Sequence, residues 1–270
     1  MIYKSDSFVN NYGLLNRFDF LIKNVNTNSE NSENYKDHTE NKLLSTLMFE
    51  SRYPLFKEVN NTNKNFTPII SLRYSPTETK NLNNLDRRID YNSIFSLNRI
   101  GESDTVEGGE SLAIGFEYSE TSKLTEELLT VSLANVIKNK ENDDMPKKTT
   151  LNKKRSDFFG KINFKPTKYL NLKYDFQIDK NFDNVNYNLL EASLNINNFY
   201  TSFEYLEEDN FIGTKSHITN KSKYKFDKEN SISFSSNKNL DKGISEYYNL
   251  IYEYQNDCLA AAVEYKKTFY

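Results

Sequence analysis

Residues able to do chemistry are few in this 270-residue chain, and they are scattered. The two histidines stand apart, His38 in a polar stretch and His217 near the start of an alternating segment, which makes a weak case for a metal site or a triad. The densest acidic group is Glu102, Asp104, Glu107 and Glu110 within GESDTVEGGE. Carboxylates at that density could bind a divalent cation through hard oxygen ligands. They equally suit a solvated or lumen-facing loop, the commoner use of such a run. The basic stretch KKTTLNKKRS could meet lipid phosphates or form a solvated loop tip. The one cysteine, Cys258, leaves no disulfide possible within the chain. A lone thiol after a turn is usually inert, although an exposed one can pair outside the chain. No P-loop, dinucleotide fingerprint, nucleophile elbow or CxxC is present. The expectation is a protein with no catalytic residue, no cofactor and no metal: not an enzyme.

The totals narrow the partners. A net charge of −3 lacks the basic footprint that nucleic acid requires. The chain has 19 Tyr, 19 Phe and no Trp, with only 8 Gly and 5 Pro. MIYKSDSFVN has no apolar signal-peptide core. No apolar run reaches the ~18 residues of a membrane helix. A membrane β-barrel shows no such run either, because its apolar residues come at every second position.

That period is what the chain displays from end to end. One face of successive segments carries Tyr12, Leu14, Phe18, Phe20 and Ile22; Leu43, Leu47, Phe49 and Tyr53; Ile70, Leu72 and Tyr74; and Leu112, Ile114, Phe116 and Tyr118. YLNLKYDFQID is the clearest, with Leu170, Leu172, Tyr174, Phe176 and Ile178 against Asn171, Lys173, Asp175 and Gln177. The pattern continues through Tyr248, Leu250, Tyr252 and Tyr254 to a last segment ending near Phe269. It predicts about thirteen strands, many near the ~9–11 residues that cross a bilayer at a tilt. Tight connections such as KPTK and QND mostly alternate with long polar ones such as LEEDNFIGTK and SNKNLDKGIS. The stretch from Tyr53 to Phe66 is too long for its place in that alternation. The expected fold is all-β, an antiparallel up-and-down transmembrane β-barrel. Leu112, Ile114, Phe116, Leu170, Leu172, Phe176, Leu250 and Tyr252 are expected to face lipid, with the polar face toward water. A general outer-membrane porin or channel and a soluble surface β-protein stay open as alternatives.

Five blocks add a resemblance. They are ESRYPLFKE; IISLRYSP; NSIFSLNRIGESDTVEGGESLAIGFEY; TTLNKKRSDFFGKINFKPTKYLNLKYDFQIDK; and EYYNLIYEYQNDCLAAAVEYKKTFY. In this order they resemble the C-terminal half of the barrel of the lipopolysaccharide-assembly family LptD, also called OstA. The matching residues include Arg52, Tyr53, Pro54, Asn98, Arg99, Asp104, Glu107, Gly108, Gly109 and Asp257. The resemblance implies a translocon in the Gram-negative cell outer membrane that places lipopolysaccharide in the outer leaflet among outer-membrane lipids. It implies a plug lipoprotein like LptE and a periplasmic Lpt bridge as partners, and no nucleic acid. On this reading residues 1–270 form a partial barrel of about thirteen strands. The family's N-terminal jellyroll and first barrel strands, with the lateral gate, would be absent. Cys258 would then be a disulfide candidate whose partner lies outside this chain.

Overall fold

The structure, a computed structural model, describes residues 1–31, 39–59, 61–122, 127–209 and 214–269. His38 lies outside the described residues, as does the tip 210–213 of LEEDNFIGTK.

Among the described residues sixteen strands form in chain order: β1 (Ile2–Lys4), β2 (Phe8–Val9), β3 (Leu15–Thr27), β4 (Glu40–Arg52), β5 (Leu55–Val59), β6 (Thr62–Ser75), β7 (Gly109–Ser122), β8 (Leu129–Lys138), β9 (Phe158–Phe164), β10 (Leu170–Ile178), β11 (Val185–Ile196), β12 (Phe199–Asp209), β13 (Thr214–Lys225), β14 (Asn230–Asn239), β15 (Ile244–Gln255) and β16 (Ala260–Thr268). Besides these there are one short helix, α1 (Tyr91–Ile94), and a 3-10 turn at Lys147–Thr149. Apart from the short β1, β2 and β5, thirteen strands remain, the number the alternation predicts. The hydrogen-bonded order runs β1-β3-β4-β6-β7-β8-β9-β10-β11-β12-β13-β14-β15-β16, with β2 on β3 and β5 on β6. This is the all-β, antiparallel, up-and-down order of a partial barrel, with β1 and β16 at the two ends of the path.

The chain packs as two compact units. The first comprises Met1–Lys57, Asn65–Tyr118 and Ser132–Gly160. Two of its strands, β4 and β6, alternate along their central residues. In β6, Thr67, Ile69, Ser71, Arg73 and Ser75 are buried, whereas Phe66, Ile70, Leu72 and Tyr74 are exposed. In β4, Leu44, Thr46, Met48 and Glu50 are buried while Leu43 and Leu47 are exposed.

The second unit comprises Glu58–Lys64, Ser119–Val131 and Lys161–Tyr270. Here the registers lay residues side by side in rows. One row is wholly apolar: Ile196, Phe199, Tyr224, Ile232, Tyr252 and Val263. On the opposite face a row reads Ser193, Ser202, Lys221, Ser235, Asn249 and Lys266. The polar face is tied by cross-strand bonds, with Lys173 Nζ 3.2 Å from Glu191 Oε1 and Lys223 Nζ 2.6 Å from Glu253 Oε2.

Two details depart from the sequence reading. The overlong stretch after Tyr53 is a hairpin, because β5 folds back on β6. SNKNLDKGIS is no long loop: β14 runs to Asn239 and β15 starts at Ile244, leaving only 240–243 as the turn. Polarity suggested a loop there, but polar residues pair their backbones in a ladder as well as apolar ones do.

Candidate functional site

A charged side chain on the buried face of a strand needs a partner, since isolated burial of charge is prohibitive. Arg73 of β6 and Lys138 of β8 both occupy such positions. Their partner is carried by the long connection 76–108, which folds back over the buried face of the first unit. Its apolar residues fill two clusters. Ile89, Tyr91, Ile94, Phe95 and Ile100 pack with Ile69, Ala113, Ala134, Val136 and Phe159 of the strands. Leu97 and Val106 pack with Leu21, Leu44 and Met48. The connection 139–157 adds Met145 and Leu151 to the first cluster. Leu151 lies within KKTTLNKKRS, so that stretch is not a solvated tip: Thr149, Thr150 and Leu151 are buried, Lys148 is paired with Asp86, and Lys153, Lys154 and Arg155 remain exposed.

Between the two clusters lies Glu107, fully buried. Arg99 Nη1 is 3.2 Å and Arg73 Nη1 3.7 Å from its Oε2, and Lys138 Nζ is 3.2 Å from its Oε1. The cations are themselves held. Arg99 Nε donates to the Ile94 carbonyl at 2.7 Å and its Nη1 to Ser111 Oγ at 2.9 Å. Arg73 Nε donates to the Leu97 carbonyl at 3.1 Å, and Lys138 Nζ to the Leu151 carbonyl at 2.9 Å. Burial pushes the Glu107 carboxyl up, but Arg99, Arg73 and Lys138 together outweigh it and hold it down at about 2. The arrangement is a clamp. One carboxylate, ionised throughout the neutral range, pins the connection to two strands and offers no proton near neutral pH.

The sign of its pH dependence follows. The ionised form is favoured by folding, so the contribution is complete above the ordinary carboxylate value of 4.5 and is lost as pH falls toward about 2. The urea midpoint of the protein should hold near pH 5 and begin to fall below about 4.5, where the carboxylate starts to protonate in the unfolded state. The Glu107→Gln protein should show no such step in that window.

The glycines beside Glu107 have a spatial cause. A Cβ on Gly108 would sit 2.2 Å from the Thr77 carbonyl oxygen, so only glycine lets the two backbones pass. Its N–H donates to Thr79 Oγ1 at 2.9 Å, and the same hydroxyl accepts from Asn142 Nδ2 at 2.8 Å. Gly109 has φ +87, in the left-handed region that glycine enters without strain. Asn98 closes the turn ahead of the carboxylates, accepting from Gly101 N at 3.1 Å and donating to the Glu102 carbonyl at 2.8 Å. Asp104 pairs with Lys80 at 2.9 Å. The acidic group is therefore a folded turn with one buried member, and no metal-holding group of His, Cys, Asp and Glu occurs among the described residues.

Farther along the same buried face is a second polar network. Arg52 Nε is 2.8 Å from Glu50 Oε1 and its Nη1 3.4 Å from Glu117 Oε2. The Tyr91 hydroxyl of α1 donates to Glu117 Oε1 at 3.2 Å. Burial and then the Glu117 charge push the Tyr91 phenol up. Arg17 reaches both Asp19 and Glu50, at 3.1 and 3.5 Å.

The family model described as LPS transport system D matches residues 4–240, most of the chain and nearly every strand just described. The chain belongs to the LptD family. No curated protein matches it. Among solved structures, mutants of the Rh. blastica porin align at 10% identity, one covering 100% of this chain and 95% of its own at TM-score 0.35, another the same shares at 0.36.

Within this LptD-family chain, the matching residues divide. Arg99 and Glu107 are clamp members, and Asn98, Asp104, Gly108 and Gly109 shape the same connection around them. Arg52 sits in the second network, with Tyr53 and Pro54 where β4 ends; the Tyr53 N–H donates to the Pro68 carbonyl at 3.1 Å. Asp257 and Cys258 belong to the other unit, exposed on the turn between β15 and β16, where the Cys258 N–H donates to Asn256 Oδ1 at 2.9 Å. His217 Nδ1 is 3.2 Å from Asn237 Oδ1, a cross-strand contact. Of the eight residues expected to face lipid, Ile114, Leu250 and Tyr252 are exposed and the other five half-buried. Arg73, Lys138, Thr79, Asp19 and Glu50 escaped the sequence reading. A charge at an inward position of an alternating strand, such as Arg73 between Leu72 and Tyr74, was the available signal.

Proposed function

We propose that this chain forms part of the wall of an outer-membrane translocon that assembles lipopolysaccharide into the outer leaflet of a Gram-negative cell. The family match over residues 4–240 carries the reading. The two-faced strands support it: an apolar row suits lipid and a polar row suits water. Connection 76–108, clamped to the water-side face, narrows whatever passes there and braces the wall. Lipopolysaccharide is the substrate, with outer-membrane lipids around it. An LptE-like plug lipoprotein and the periplasmic Lpt bridge are the protein partners. Cys258 offers its thiol to a cysteine beyond this chain. The role is transport, without bond-making chemistry.

Depletion of the protein in its own cells is the test. Newly made lipopolysaccharide should stop reaching the surface, read by extracellular labelling, and should return when the intact gene is restored. Normal surface lipopolysaccharide together with lost uptake of small solutes would instead identify a diffusion channel.

A further inference from the structure

On the exposed face of the first unit the wall is not flush. Leu47 and Phe49 of β4, Leu72 and Tyr74 of β6, Leu112 of β7 and Ile137 of β8 line a cavity of about 520 Å³. Arg73, Ser111 and Lys138, whose side chains belong to the clamp on the buried face, also border it, beside the end of β6 and the start of β7. A second cavity of about 660 Å³ adjoins it and shares Tyr74, Glu110, Lys138 and Asn139. Its character is opposite. Exposed Glu78, Glu110, Glu141 and Asp144 line it, against Lys140 and the Lys138 already bound to Glu107. Both volumes fall in the range of about 300–1,000 Å³ typical of small-ligand sites.

An apolar cleft joined to an acidic bowl fits one kind of molecule. We propose that the crevice holds one acyl chain of a membrane lipid whose ammonium-bearing head lies in the acidic bowl. The proposal rests on the reading that the exposed apolar face meets lipid. An open apolar cleft in a bilayer is filled by hydrocarbon, because leaving its walls without contacts forfeits dispersion energy and filling it with water costs more. The charge of the bowl then selects the head. Four carboxylates facing one uncommitted lysine repel an anionic lipid and attract a protonated amine, most strongly at low salt. Tyr74 and Asn139 stand where chain and head would join, a place suited to side chains with one apolar and one polar part.

Native mass spectrometry of the membrane-extracted protein tests this, with phosphatidylethanolamine and phosphatidylglycerol as probes. The protein should retain one ethanolamine lipid at least tenfold better than the glycerol lipid. Leu72→Trp, which fills the crevice, should abolish retention, whereas Leu250→Trp, on the exposed face elsewhere, should keep it. Glu110→Lys with Glu141→Lys should reverse the preference between lipids. Equal retention of both lipids, or retention unchanged by Leu72→Trp, overturns the site. Detergent partition separates this failure from failure of the underlying reading. A protein that enters the detergent phase but retains no lipid loses only the crevice, and one that stays in the aqueous phase loses the lipid-facing assignment as well.

Discussion

Glu107→Gln is expected to destabilise the fold by about 3–5 kcal/mol, the cost of breaking a buried ion cluster by removing one partner. The substitution changes almost no volume, so packing in the two apolar clusters survives. What it removes is the carboxylate that, among the described residues, Arg73, Arg99 and Lys138 share within ion-pair distance. Three buried cations would then face one another without compensation. By contrast, Lys223→Gln breaks a pair whose partners are about 40% exposed, and should cost only about 0.2–1 kcal/mol. Urea midpoints of the membrane-inserted protein give both values. A loss below about 1 kcal/mol for Glu107→Gln would mean that the cluster is too hydrated to act as a clamp. The double variant Glu107→Gln, Arg99→Gln separates charge imbalance from lost contacts. If imbalance dominates, removing Arg99 as well should cost less than the two single losses added, because the residues share one network.

The strands were legible because period-2 alternation is a local signal, and burial of one face enforces it. The thirteen long strands, and apolar alternating positions such as Phe18, Leu72, Ile114 and Tyr252, could be read without any knowledge of pairing. The clamp could not. Glu107 reads as one of four carboxylates in a polar loop, and only the fold places it between β6 and β8. Its partners are 34 and 31 positions away along the chain, at Arg73 and Lys138, and long-range pairing leaves no periodic trace. KKTTLNKKRS misled for the opposite reason. Its charge density dominates the local pattern, yet Thr149 and Leu151 in its middle are the buried residues. The glycine pair was visible as a motif, but its cause, the passing of Gly108 against the Thr77 carbonyl, is a contact between two segments.

The two-faced reading has its sharpest test at adjacent residues. Leu250 lies in the register Ser222, Phe234, Leu250, Tyr265, and Asn249 beside it lies in the polar row with Ser235 and Lys266. Leu250→Arg should destabilise the protein by about 2–4 kcal/mol if the site is near the bilayer midplane. Asn249→Arg, one position along and on the other face, should cost under about 1 kcal/mol, as a substitution toward water does. That difference alone does not separate membrane from protein core, since a buried core would also punish Leu250→Arg. Depth does. In a bilayer the penalty falls to about 0–1 kcal/mol near the interface. Tyr254 sits near the end of β15, close to the turn at 256–259, and Tyr254→Arg should therefore be nearly neutral. The three variants, refolded into liposomes and titrated with urea, give the profile directly. Equal costs at Leu250 and Tyr254 would place both in a soluble core and remove the membrane assignment. Equal costs at Leu250 and Asn249 would remove the distinction between the faces. A penalty high at Leu250, low at Tyr254 and low at Asn249 is the signature of a strand with lipid on one side and water on the other.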